Sequence, residues 1–269
     1  MPVAVVTGGS SGIGAAVARK LASRDWTCVV VGRREDRLRE VAEEIGGEHE
    51  VCDVSDRVAV WRMADAVRER HPEVGLLVNN AGIPGRGNFL DLEPERIEEL
   101  VRINYLGSVW CLLALLPALE AAAQAESARP LGGVASERLR AGTPSHVVNV
   151  VSVAGTVAIG PYSASKHAQL AFSRSVAREL PRGIHVHTVN PGFVHTEGFP
   201  QDWLLRGRFG RAVISPDVVA DRIVNAIERG RTEIFVPRWY RAAALAQAIA
   251  PGAFRRVGAR RAPRDPTPR

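Results

Sequence analysis

Short β-branched runs alternate with longer helix-patterned segments from residue 3 to residue 236, and that rhythm narrows the chain to one architecture. Val3–Val6, Thr27–Val31, a run closing at Val51, Val74–Val78, His146–Val151, Ile184–Val189 and Thr232–Val236 read as strands. Between them, Ile13–Arg24, Glu35–Ile45, Arg57–His71, Pro94–Leu116, Tyr162–Leu180 and Pro216–Arg229 read as helices. Parallel strands joined through helices of ten or more residues need right-handed crossovers, which put helices on both faces of one sheet. Continuously apolar runs, as opposed to alternating ones, suit strands buried on both sides. The expectation is an α/β, single-domain, doubly wound fold over residues 1–237, with a mostly parallel seven-stranded sheet of order 3-2-1-4-5-6-7. Two segments break the rhythm. Residues 120–145, rich in Ala, Gly and Arg, are expected to extend a helix and then form an inserted loop. Residues 238–269 are expected to form a basic C-terminal helix and a disordered tail.

Composition excludes several classes. No run of eighteen apolar residues occurs, so no membrane span is expected, and the N-terminus enters a strand directly without the charged and apolar regions of a secretory signal. Cys28, Cys52 and Cys111 are odd in number, without CxxC or His clustering, so reduced thiols, no metal site and a cytoplasmic location are expected. The net charge of +6 does not imply nucleic acid. Residues 238–269 hold eight arginines against the single acid Asp265, a charge of +7, which leaves the rest of the chain near −1. The tail is expected to be solvated, with contact to an acidic partner or anionic lipid as the alternative.

Three motifs carry chemistry. Thr7-Gly8-Gly9-Ser10-Ser11-Gly12-Ile13-Gly14 lies between the first strand and the first helix. There glycines allow a tight turn and close backbone approach to a diphosphate, and the free amides and helix dipole supply the anion site of a Rossmann fold. The second strand ends Val31-Gly32-Arg33-Arg34, where an NAD site would place a carboxylate for the ribose 2′-hydroxyl. Two guanidinium forks suit a 2′-phosphate instead, and NADP(H) is expected. The competing reading pairs Arg33 and Arg34 with Glu35 and Asp36 as a helix-start cluster. Finally, Lys20 and Lys166 are the chain's two lysines, and Lys166 stands four residues after Tyr162, on one helical face with it. An ammonium there favours the phenolate, bringing the hydroxyl's acidity toward neutrality, and a lysine can join a proton relay where an arginine cannot.

With these motifs in this order the chain resembles the short-chain dehydrogenase/reductase family over roughly residues 3–237. Gly8, Ser10, Ser11, Gly12, Ile13 and Gly14 match its cofactor loop, Asp53 and Val54 its adenine contacts, and Asn79-Asn80-Ala81-Gly82 its strand-four signature. Pro191, Gly192, Val194 and Thr196 match the segment that holds the nicotinamide carboxamide. Asn104, Ser152, Tyr162 and Lys166 match its catalytic set. The resemblance implies hydride transfer between nicotinamide and a carbonyl or carbinol carbon. Tyr162 exchanges the proton, Lys166 tunes it and binds the nicotinamide ribose, Ser152 bonds the substrate oxygen and Asn104 holds a relay water. It also implies a homodimer or homotetramer. Plainer roles stay open: Asn104 as a helix-kink residue, Ser152 as a turn cap and Thr196 as an N-cap. Ser152 and Tyr162 are ten positions apart, about three fewer than is usual in the family, which leaves the serine's placement open with Thr156 as the other hydroxyl. Ser152, Val153, Ile159, Tyr162 and Phe193, with Phe199 and Trp203 from the loop 198–214, are expected to line a pocket for a lipophilic small-molecule carbonyl or alcohol. The alternative function is a non-catalytic NADP(H)-binding sensor or scaffold.

Overall fold

A computed structural model describes residues 1–85, 87–127, 145–157, 160–197 and 213–249. Its seven strands are β1 (Val3–Thr7), β2 (Thr27–Gly32), β3 (Glu48–Val51), β4 (Leu76–Asn79), β5 (Ser145–Val150), β6 (Ile184–Pro191) and β7 (Glu233–Val236). They form one sheet of order β3-β2-β1-β4-β5-β6-β7 in which every pairing is parallel. Central position explains the apolar runs: β1, β4 and β5 are buried at every residue. β3 departs from that pattern with Glu48-His49-Glu50-Val51. As an edge strand it can be polar, and Arg70 holds Glu48 and Glu50 while His71 bonds Glu48.

Helices α1 (Gly12–Ala22), α2 (Glu35–Ile45) and α7 (Pro216–Glu228) cover one face. The other carries α3 (Arg57–Arg70), α5 (Gly107–Ser127) and α6 (Gly160–Glu179). Local chemistry sets their ends. Gly46 closes α2 at φ 61°, Asp56 caps α3 by accepting from the Val58 and Ala59 amides, and Ser215 caps α7 ahead of Pro216. α8 (Tyr240–Ile249) follows β7.

The single helix expected over 94–116 is in fact three pieces. α4 (Pro94–Val101) runs into a π-helical turn at Arg102–Leu106, and α5 continues to Ser127. By length and hydropathy the stretch Pro94–Ala125 could cross a membrane, yet half of its most apolar window is buried in the fold. Cys111, Leu112, Leu115 and Leu119 are among the residues buried there, packed against the sheet face that α3 and α6 also cover. The inserted segment is described as far as Ser127, as a helix extension; residues 128–144 and the tail beyond 249 lie outside the described residues.

On β5 and β6 two buried histidines form a chain. His187 Nδ1–H donates to the Arg231 carbonyl at 2.7 Å, so its Nε2 accepts from His146 Nδ1–H at 2.9 Å. Burial, with the neighbouring His187 and His185, holds His146 down to about 3. Burial lowers His187 as well. Both rings are therefore neutral in the fold and take up protons on unfolding below about pH 6.5. Stability is full above that pH and falls with acid, by on the order of 3 kcal/mol by pH 4 for His146 alone. Urea midpoints between pH 7.5 and 4 should drop steeply for the wild-type chain and less for His146→Gln/His187→Gln; equal slopes would refute the assignment.

Candidate active site

The glycine loop folds back on the end of β4. Gly8 and Gly12 take φ values of 65° and 56°, where a side chain is strained. A Cβ on Gly14 would stand 2.2 Å from the Gly8 carbonyl oxygen and 2.6 Å from Asn80 Nδ2. Thr7 Oγ1 accepts from the Asn80 and Ala81 amides, and Asn80 Nδ2 donates back to the Thr7 carbonyl. Asn80 thus shapes the cradle through the protein's own backbone. Ser11 precedes α1 without capping it, which leaves the first-turn amides uncapped by that side chain. Ile13 packs on the core between the sheet and α1, α2 and α7, and Val54 lies under Gly107.

Neither arginine joins a helix-start cluster. Arg34 donates to Ser11 Oγ at 2.8 Å, Ser10 Oγ at 3.2 Å and Glu197 Oε1 at 2.9 Å. Arg33 lies 3.7 Å from Asp53 Oδ2, while Glu35 pairs with Arg39. Both guanidiniums are half-exposed, Arg34 on the glycine loop and Arg33 toward Asp53 after β3.

The predicted catalytic residues meet at the C-terminal ends of β4 and β5. Ser152 follows β5, and its hydroxyl accepts from the Ala154 amide at 3.1 Å and also hydrogen-bonds the Tyr162 phenol. Ser152 is thus the turn cap the sequence reading allowed, and the short spacing does not separate it from Tyr162. A 3₁₀ turn (Val153–Thr156) leads toward α6, which begins two residues before Tyr162. Ser163 ties α6 to that turn through the Ala154 and Val157 carbonyls. Thr156 Oγ1 donates to the Val153 carbonyl at 2.7 Å, within its own turn. Tyr162 is half-buried, and a Cβ on Gly85 would stand 3.0 Å from its Cβ.

Lys166 is 4% exposed, and its Nζ donates to the Val150 carbonyl at 3.1 Å and Gln169 Oε1 at 2.8 Å. Gln169 in turn donates to Ser108 on α5 at 2.8 Å. Asn104 sits in the π turn, fully buried. Its amide brackets Ile83, accepting from that N–H at 2.8 Å and donating to its carbonyl at 3.1 Å, and donates to Ser165 Oγ at 3.0 Å. A Cβ on Gly82 would stand 3.0 Å from Asn104 Oδ1 and 3.6 Å from Lys166 Nζ, so Gly82 leaves the gap in which they approach. The π turn is the kink the sequence reading allowed, and it turns the amide into the site.

One electrostatic expectation is corrected. The phenol is not drawn toward neutrality: burial pushes Tyr162 up to about 12, against a smaller downward pull from Ser152. Burial moves Lys166 the other way, down to about 7. Desolvation disfavours both charged forms, and the amine is committed to Val150 and Gln169.

On the opposite wall β6 extends through Pro191. Gly192 N–H donates to Val236 O at 2.8 Å, Val194 bridges to Ile214, and the Thr196 methyl would stand 3.0 Å from a Cβ on Gly12. Phe193 is partly exposed, and Val153 opens the 3₁₀ turn. Ile159, Phe199, Trp203 and the rest of 198–212 lie outside the described residues.

Sequence reasoning missed three contributors. Gln169 was findable, since 162, 166 and 169 share one helical face. Tyr240 lay in the segment read as a basic C-terminal helix and tail, apart from the site: its ring lies on Gly192, where a Cβ would be 2.2 Å from Cε2. Its buried hydroxyl lies against the Phe193 backbone. Glu197 carried no local signal.

The short chain dehydrogenase family model matches residues 2–128 and 133–203. A protein of Streptomyces violaceoruber named as a ketoacyl reductase of the granaticin polyketide synthase is 35% identical over 240 residues, 86% of this chain and 80% of its own. Carbonyl reductase family member 4 of Xenopus tropicalis is 30% identical over 236 residues, 84% of this chain and 91% of its own. Among solved structures, a point variant of actinorhodin polyketide ketoreductase with NADPH gives a TM-score of 0.72 at 28% identity, covering 89% of this chain and 97% of that one. A short chain dehydrogenase/reductase from Burkholderia phymatum in complex with NAD gives 0.76 at 25% identity, covering 100% and 98%.

Proposed function

The chain belongs to the short chain dehydrogenase family, and from that premise we propose that it is an NADP(H)-dependent oxidoreductase interconverting a ketone or aldehyde with the corresponding alcohol. The observation that carries this reading is the meeting of Ser152, Tyr162, Lys166 and Asn104 beside the glycine loop. Relatives named as ketoacyl and carbonyl reductases support a carbonyl substrate. Solved neighbours hold NADPH in one case and NAD in another, so the coenzyme choice rests on Arg33 and Arg34.

The residues fit a dinucleotide: glycine at 8 and 14 lets the loop close on Asn80, Ala81 and its own backbone, and the Ser11 side chain leaves the first-turn amides of α1 uncapped for an anion. When bound, the coenzyme supplies or accepts the hydride. The first-turn amides of α1 would hold its diphosphate, Arg34 with Ser10 and Ser11 would take the 2′-phosphate, and Asp53 and Val54 would border the adenine. Pro191, Gly192, Val194 and Thr196 would hold the carboxamide end.

Ser152 orients the substrate oxygen. Tyr162 gives its proton to that oxygen in reduction and takes it in oxidation. A phenol held near 12 keeps its proton at neutral pH and so enters reduction as the acid. Lys166, near 7, changes protonation in the neutral range and can pass a proton onward, with Asn104 steadying the loop beside it. The proposal extends to a cytoplasmic homo-oligomer acting on a small molecule, in keeping with the free, buried Cys28, Cys52 and Cys111.

The test is NADPH oxidation across a panel of ketones and aldehydes, with coenzyme titrations of wild type and Arg34→Ala. Turnover is expected, and Arg34→Ala should weaken NADPH about tenfold with little change for NADH, the loss of charge-assisted bonds to phosphate. Tight NADPH binding with no turnover across the panel would favour the sensor reading instead.

A further inference from the structure

Arg34 joins three segments that are far apart in the chain: the turn after β2, the glycine loop, and the stretch after β6. One arm of the guanidinium bonds Ser11 and Ser10, and the other bonds Glu197. Glu197 directly follows Thr196, whose methyl lies against Gly12. The Arg34–Glu197 pair therefore reaches from the adenosine side of the cradle to its opposite wall, across the mouth of the glycine loop. A carboxylate on a guanidinium is the closest protein equivalent of a phosphate on the same fork, because both present paired anionic oxygens to planar donors.

We propose that Glu197 is a coenzyme-discriminating residue: its carboxylate holds the Arg34 guanidinium in place of a 2′-phosphate, and the phosphate must displace it to bind. This rests on the NADP(H) reading above. The Arg34 bond, with Arg37 as a further nearby cation, keeps the Glu197 carboxyl below the usual carboxylate range, so the latch is charged throughout the neutral range. A coenzyme lacking the 2′-phosphate neither needs the fork nor meets the carboxylate. One carrying it must break the pair and then sit beside a freed negative charge. Glu197 thus sets back the affinity for the phosphorylated coenzyme alone, while Ser10, Ser11 and Arg34 still favour it. Both partners are half-exposed, so water screens the pair and the effect is modest, about two- to fivefold.

The experiment titrates wild type and Glu197→Gln with NADPH and NADH, and with adenosine 2′,5′-bisphosphate and 5′-AMP, which lack the nicotinamide half. Glu197→Gln should bind NADPH and the bisphosphate about two- to fivefold more tightly, with NADH and 5′-AMP unmoved. If wild type prefers NADPH but the exchange leaves the NADPH-to-NADH ratio unchanged or lower, the latch is overturned and the coenzyme reading stands. A wild-type chain with no preference for NADPH overturns both.

Discussion

Tyr162→Phe should bind NADPH as wild type does and lose about 10³-fold in kcat for carbonyl reduction. The exchange removes one oxygen and leaves the ring in its half-buried seat between Ser152 and the Gly85 loop. The lost hydroxyl is the acid that neutralises the nascent alkoxide, and the nearby alternatives are poor. Thr156 is bonded to the Val153 carbonyl within its own turn. Lys166 has its Nζ bonded to Val150 and Gln169. Ser152 would remain to hold the substrate oxygen, so KM should change far less than kcat. Stopped-flow reduction with pre-bound NADPH isolates the chemical step. A variant within tenfold of wild type in that step would remove Tyr162 from its assigned role, and weakened NADPH binding alone would recast the tyrosine as a coenzyme contact.

The parts of the site visible in the sequence were those written in local spacing. The glycine loop between β1 and α1, the Tyr162/Lys166 face and the full extent of α2 all follow from periodicity and turn chemistry over a few residues. The π turn at Arg102–Leu106 could not be read this way. One extra residue per turn barely disturbs an apolar pattern, yet it is what aims Asn104 at Ile83 and Ser165. β3 escaped the apolar rule because edge strands need only one buried face. The Arg34–Glu197 pair joins residues 163 positions apart, and Tyr240 reaches Gly192 only because β7 returns beside β6. No spacing rule connects such residues. The direction of the Tyr162 shift was missed for a related reason: neighbourhood along a helix is visible in sequence, whereas the burial that sets Tyr162 and Lys166 belongs to the whole fold.

That depth makes Lys166→Met informative twice over. In activity the exchange removes the group that titrates near neutrality behind Tyr162, and kcat should fall about 10²- to 10³-fold. In stability it should act in the opposite sense at neutral pH. An amine whose pKa falls from 10.5 to about 7 on folding holds fewer protons in the fold than in the unfolded chain between those values. Unfolding free energy therefore climbs with pH across that window, at up to about 1.4 kcal/mol per pH unit from this one group. The buried thiols oppose it: Cys28, Cys52 and Cys111 are all raised by desolvation, so they remain protonated in the fold while the unfolded chain ionises above about 9. The wild-type curve is the sum of both trends, and the lysine is read from the difference between wild type and variant in urea unfolding from pH 7 to 9. That difference should shrink steadily as pH rises, because the methionine carries no penalty to lose. A difference independent of pH would mean that Lys166 is charged in the fold throughout, and the relay assigned to it would fail with that result even if the variant were inactive.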